Sequence, residues 1–286
     1  MKASELISLT ATTAKSLVKS AVLSRPVSIH DVHPSKPLVV LGNGPSLNTT
    51  IDQSLDFLKS VDTMAVNFAC LAPVFFDIRP RFYILADPLF FSDAHPRIGD
   101  FRRLIQKVDW PMTLLVPRKF RHLTGPITGD NKSLTVMTYN FVGIEGFKWL
   151  ENFAYRHRWG MPRPRNVLVP AIMNAITLGY REIYVAGADH SWMQTISVDD
   201  ENHVISVQPH FYKDDSTEQR RVDTTYRGLR LHQVVESFAI AFKAYHSVRR
   251  YADGRGVRVF NVTPGSFIDA FDRGRLPAEP FRSPKG

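Results

Sequence analysis

Leu38-Val39-Val40-Leu41-Gly42-Asn43-Gly44-Pro45-Ser46-Leu47 is the stretch on which the reading of the fold turns. Four apolar residues, two of them β-branched, run into a glycine, the pattern of a short buried strand closing in a tight turn. Thr49 or Thr50 can cap a helix behind it, with Ile51, Leu55 and Leu58 on one face. The turn is not a Walker A loop, because no Gly-Lys-Ser/Thr follows. It is not the dinucleotide fingerprint either, because the third glycine is missing and Pro45 stiffens the loop. Gly42 and Gly44 would still let backbone approach a phosphate or ribose, and the helix N-terminus beyond favours an anion.

Further strands are expected at 63–67, 81–87, 112–116, 134–138, 182–188 and 257–262. Helical stripes separate them: Ile98 to Val108, 147–155, the nearly all-apolar 167–178, and Leu231 to Val248. Strands alternating with helices predict an α/β, Rossmann-like, mostly parallel sheet with helices on both faces. The expected organisation is an N-terminal helix and linker over 1–36, a nucleotide-binding catalytic domain over 37–272, and an irregular tail over 273–286. Within the domain, the polar stretch of about 191–227 lacks core periodicity and reads as a lid-like insertion.

The 286 residues carry 44% hydrophobic side chains and a net charge of +9, enough for a sizeable core and an attraction to polyanions. Without a zinc knuckle, an aromatic RNA-binding motif or a long basic tract, nucleic acid is not expected as a partner. The single cysteine, Cys70, excludes an internal disulfide and reads as a buried thiol in a reducing, cytoplasmic setting. No secretory leader is read at the start of the chain. Residues 5–23 are weakly amphipathic, which leaves open a packing helix, a frayed tail or a shallow contact with the inner face of the membrane. Apolar helix faces leave a homo-oligomer open as well.

Polar residues at strand ends supply the candidate site. Asn43, Asn67, Asp87-Pro88 and Gly187-Ala188-Asp189-His190 each follow an expected strand. In open parallel sheets, ligands collect beyond the carboxyl ends of the strands, so these groups are expected to close around one nucleotide. The plain alternative is that Asn and Asp end strands by forming turns. Asp199-Asp200-Glu201 and Asp214-Asp215 read as solvated acidic loop, and His30-Asp31-Val32-His33 as surface, so no metal site is expected.

Taken together, Gly42 to Leu47, Asn67, Asp87-Pro88, the passage Leu178 to Asp189, and Asn261, Pro264 and Ser266 resemble the bacterial sialyltransferases of glycosyltransferase family forty-two. The resemblance implies a metal-independent glycosyltransferase moving an acidic sugar from a CMP-sugar to a glycan or glycolipid. It places Gly42, Asn43, Gly44, Pro45, Ser46, Asn67, Asp87, Pro88, Arg165, Asn166, Gly187, Asp189 and Ser266 at the nucleotide. The catalytic base is expected to be His232, with His190 and His210 as competitors. Tyr212 or Arg165, and the backbone amides of Gly44 to Ser46, are expected on the leaving phosphate. The sequence departs from the family where tyrosines follow the Gly-x-Asp segment: His190, Ser191 and Trp192 stand there. The loop pattern is shared with hydroxymethylpterin diphosphokinase-like proteins, an alternative that would require Mg²⁺. A non-catalytic nucleotide- or glycan-binding module is the third reading.

Overall fold

A computed structural model describes residues 2–205 and 228–282. Its centre is an all-parallel sheet built from β1 (Leu38–Leu41), β2 (Asp62–Val66), β3 (Phe82–Ile84), β4 (Met112–Pro117), β5 (Leu134–Tyr139), β6 (Glu182–Ala186), β9 (Arg258–Asn261) and β10 (Asp272–Arg273). The spatial order is β10-β9-β6-β1-β2-β3-β4-β5. From β1 the chain first builds outward through β5, then returns to lay β6 on the other side of β1, pairing Leu38 with Ile183. The fold is therefore α/β and Rossmann-like, with its topological switch point between β1 and β6. A separate antiparallel pair, β7 (Ser197–Val198) with β8 (Val204–Ile205), follows the main crossing.

Both faces of the sheet are covered, which is why its strands read as continuous apolar runs rather than alternating ones. Leu38 and Val40 of β1 point into a core made with α6 (Lys148–Arg156), α7 (Leu168–Thr177) and α8 (Leu231–Asp253). Val39 and Leu41 point the other way, onto Leu47, Ile51, Phe57 and Leu58 of α2 (Ser46–Ser60). Further along the same face, Tyr83 and Leu114 pack with Phe101 and Ile105 of α4 (Ile98–Gln106). α7 is buried from Leu168 through Ile176, as an apolar helix without a polar face must be.

The structure departs from the sequence reading at several boundaries. α2 begins at Ser46, ahead of the caps expected at Thr49 or Thr50; Thr50 lies inside the helix and is buried. The reason is a cap supplied from across the sheet, described below. The short helices α3 (Val74–Ile78) and α5 (Gly125–Thr128) were not foreseen, being too brief to show a period. The N-terminal segment forms a full helix, α1 (Ala3–Leu23), and the proline-flanked stretch after it is tied to the sheet by Ile29 N–H donating to Thr138 O at 3.1 Å. The described part of the expected lid, 191–205, holds a 3-10 turn (Ser191–Thr195) and the β7–β8 pair; the remainder lies outside the described residues.

Candidate functional site

The turns leaving β1 and β6 interlock. Gly42 N–H donates to Ala186 O and Gly44 N–H to Gly187 O, each at 2.8 Å. A Cβ on Gly42 would stand 2.4 Å from Gly187 O, and one on Gly44 only 1.8 Å from the Asp189 carboxylate. The meeting of the two protein turns is therefore enough to require these glycines. Gly187 reciprocates: it sits at φ +64, and its own Cβ would meet Gly42 O at 2.7 Å.

Asp189 belongs to the same junction. Its carboxylate accepts from Ser46 Oγ at 2.7 Å and from Ser46 N–H at 3.3 Å, so β6 caps α2 with its own anion. The Gly44 amide is engaged by Gly187, Pro45 has no N–H, and the Ser46 amide is engaged by Asp189. The amides expected to hold a leaving phosphate are spent within the protein. Ser266 is also drawn inward: its hydroxyl donates to Ala188 O at 2.6 Å and accepts from Asn261 Nδ2 at 3.0 Å. It clamps the Asp189 turn from behind and does not line the cavity.

Beyond the strand ends lies a cavity of about 510 Å³, within the usual range for small-molecule sites. Asn43, Gly44, Pro45, Asn67, Asp87, Pro88, Arg165, Asn166, Gly187, Asp189 and His190 all line it, with Trp192 and Phe238 supplying apolar walls. Asn43, Asn67 and Asp189 thus open on one space. Asn43 Oδ1 and Asn67 Oδ1 are both shielded from solvent without a hydrogen-bond partner among the described residues. An unmet buried amide oxygen costs about 1–3 kcal/mol, so a protein that keeps two at one cavity has reason to. Asn67 is held there at φ +50, its carbonyl accepting from the Tyr83 hydroxyl at 2.5 Å. Asp87 realises the plain alternative in part: its carboxylate accepts from Leu89 N–H at 2.9 Å, forming a turn at the cavity rim. Arg165 is exposed at the rim and makes no hydrogen bond or ion pair with any described residue.

Of the four expected catalytic groups, two fall among the described residues, and one of these, His190, lines the cavity. His232 is exposed in the first turn of α8. α8 lines the cavity through Ser237, Phe238 and Ala241, and at about 100° per residue His232 points away from Ala241. His210 and Tyr212 lie outside the described residues. His190 does line the cavity, but burial pushes its pKa from 6.5 down to about 3, so it is a neutral ring and a poor base as it stands.

The network around His190 was missed. Tyr245, whose place in the α8 stripe suggested only core packing, donates its hydroxyl to Asn166 Oδ1 at 3.0 Å. Its oxygen stands 2.7 Å from His190 Nε2, and Asn166 Nδ2 stands 3.4 Å from the same nitrogen. With the proton on Nε2, the Tyr245 oxygen accepts it and Nδ1 keeps the lone pair; with the lone pair on Nε2, Asn166 Nδ2 donates to it. Asn166 in turn caps α7, accepting from Leu168 N–H at 3.0 Å. Trp192 lies over the imidazole at 4.1 Å between ring centres. Tyrosines at α-helical spacing give no sign of such a role unless the facing strand end is known. Asp199, Glu201 and His203 bring ligand-type atoms within 4.8 Å of one another, but Asp199 is already committed to His203, accepting from its N–H at 2.6 Å.

Fold and geometry define a doubly wound α/β chain with a polar, small-molecule-sized cavity at its switch point. No protein-family model matches the sequence, and no curated protein does. Among solved structures, 97% of the chain aligns with 38% of the MAf glycosyltransferase from Magnetospirillum magneticum AMB-1, at 14% sequence identity and a TM-score of 0.49. The chain thus spans well under half of that protein's length, and the chemistry of the cavity follows from its own residues. Among the described residues, no helix is long and apolar enough to cross a membrane.

Proposed function

We propose that the protein is a glycosyltransferase whose cavity takes a sugar nucleotide, a cytidine monophosphate-linked acidic sugar, and passes the sugar to a hydroxyl of a glycan or glycolipid. The observation that carries this reading is the pair of amide oxygens, Asn43 Oδ1 and Asn67 Oδ1, left without a partner among the described residues at one cavity of about 510 Å³. A pyrimidine's exocyclic amine and ring acceptors match what two side-chain amides offer and accept. Asp87 at the rim suits ribose hydroxyls, as an acidic residue does at the strand ends of other nucleotide folds.

Since the Gly44 and Ser46 amides are engaged, charge on the departing phosphate falls to Arg165, whose fixed fork matches phosphate oxygens. As the bond from phosphate to the anomeric carbon breaks, positive charge builds on the sugar and the acceptor hydroxyl must lose its proton. His190 Nδ1 is the base in this reading. An anionic phosphate nearby favours the imidazolium and so opposes the desolvation that holds the ring neutral in the empty cavity. Tyr245 positions the ring throughout. A monophosphate leaving group develops less charge than a diphosphate, so no divalent metal is called for.

Thermal unfolding with a nucleotide panel tests the reading. CMP at a hundred times its dissociation constant should add about 2.7 kcal/mol of stability, and Asn43→Ala and Asn67→Ala should each abolish most of that gain. If CMP and CMP-sugars leave the melting temperature unmoved while ATP with magnesium raises it, the reading is wrong and the diphosphokinase alternative takes its place.

A further inference from the structure

α1 meets the body of the protein with its small polar residues and turns its apolar ones to solvent. Its buried side chains are Thr13, Ser16 and Ser20. Thr13 Oγ1 accepts from Phe147 N–H at 2.9 Å, and Ser16 Oγ donates to Glu145 O at 2.7 Å. The helix lies so close that a Cβ on Gly146 would stand 2.3 Å from Thr13 Oγ1. Its orientation is therefore fixed. On the far side Ile7 is 71% exposed, Val18 64% and Val22 59%, flanked by exposed Leu6 and Leu17. A surface helix ordinarily buries its apolar stripe, and one that presents it outward marks a contact surface.

The neighbouring segment extends the same character. Trp149 of α6 is 62% exposed, and Phe153 and Trp159 are exposed too. Phe153 stacks on His157 at 4.0 Å and meets Trp159 edge-on at 5.2 Å. Trp159 O accepts from Ser24 Oγ at 2.5 Å, which fastens this aromatic group to the end of α1.

We infer that this face lies flat on an anionic lipid bilayer. Charge complementarity selects that occupant. Lys15 and Lys19 edge the apolar stripe of α1, and Arg25, Lys148, Arg156 and Arg158 neighbour the aromatic residues in sequence. Of the acidic groups nearby, Glu151 is largely covered and faces Arg250 at 3.9 Å, and Glu5, exposed in the first turn of α1, accepts from Lys2 N–H at 2.9 Å. Cations bordering an apolar helix face, with tryptophans beside it, is the composition of helices that lie in the membrane interface. The contact does not depend on what occupies the cavity.

Co-sedimentation of the full chain with vesicles decides the matter. Vesicles of phosphatidylcholine with admixed phosphatidylglycerol should carry the protein down, and added salt should weaken the association. Val18→Asp should reduce partitioning by about tenfold or more, since burying one valine is worth that much. Trp149→Ser, at an independent exposed site, should act in the same direction. Lys15→Gln and Lys19→Gln should each cost about fivefold on anionic vesicles and nothing on phosphatidylcholine alone. Lys15, Val18 and Trp149 are exposed and Lys19 is half-buried, with none of the four in the core, so unchanged melting temperatures are expected. Failure of the unaltered protein to bind anionic vesicles overturns the proposal. So does a concentration-dependent dimer, seen by light scattering, that Val18→Asp abolishes, because the face would then belong to a second copy.

Discussion

Replacing Gly42 with alanine separates two uses of the glycine turn. The added Cβ would stand 2.4 Å from Gly187 O and 2.9 Å from Gly187 C, both backbone atoms that no rotamer change can move aside. Relief requires β1 and β6 to part at their carboxyl ends, straining the Gly42–Ala186 and Gly44–Gly187 hydrogen bonds, both 2.8 Å. Overpacking of this kind costs about 1–3 kcal/mol, and each weakened hydrogen bond a further ~1 kcal/mol. A total of about 3–5 kcal/mol corresponds to a melting temperature lower by roughly 6–15 °C in a domain of this size. Differential scanning calorimetry on ligand-free protein measures it. Gly99→Ala in α4 is the matched control: its Cβ would meet nothing within 4 Å, so it should leave stability unchanged or slightly raised. The reasoning is refuted if ligand-free Gly42→Ala melts with the unaltered protein yet loses nucleotide affinity. The glycine would then serve the ligand's approach rather than the closure of the two turns.

Three further outcomes are expected. Burial lowers the His190 pKa from 6.5 to about 3, so between those values the unfolded chain binds the extra proton; stability should fall as pH drops through that window. The slope should approach 1.4 kcal/mol per pH unit in urea titrations, and His190→Gln should flatten it, whereas an unchanged slope contradicts a buried neutral ring. Tyr245→Phe removes one partner each from His190 and Asn166 and should destabilise by about 1–3 kcal/mol; a change below a few tenths would show the network to be idle. Burial pushes the Cys70 thiol up to about 12, so iodoacetamide should label it only after denaturation, and rapid labelling of native protein would contradict its placement.

The sheet was legible because buried parallel strands are written as uninterrupted apolar runs. Leu38 to Leu41 reads correctly from that signal, Met112 to Val116 falls one residue short of β4, and the expected 182–188 overruns β6 by two. The cavity's polar rim was legible too, because Asn43, Asn67, Asp87 and Asp189 each follow such a run. What was hidden depends on contacts between distant segments. Nothing local in Gly44 announces that Asp189 will press against it, and nothing in Ser46 that a carboxylate from β6 will cap its helix. The direction of His232 was hidden for the same reason: it lies beside a helix start in sequence, but only the rotation of α8 about its axis, set by Val234 and Phe238 in the core, decides which way it points.

The pairing of β1 with β6 has a consequence for how the chain comes off the ribosome. Strands β1 through β5 can associate as soon as they are made, but until β6 emerges the outer flank of Leu38–Leu41 is an unsatisfied, wholly apolar edge. Such an edge invites pairing with other nascent chains during the interval, so recovery of soluble protein should depend on synthesis speed and chaperone supply more than on the finished fold's stability. The cavity is completed in the same late step, because Gly187, Asp189, His190, Trp192 and Phe238 of its lining all follow β6.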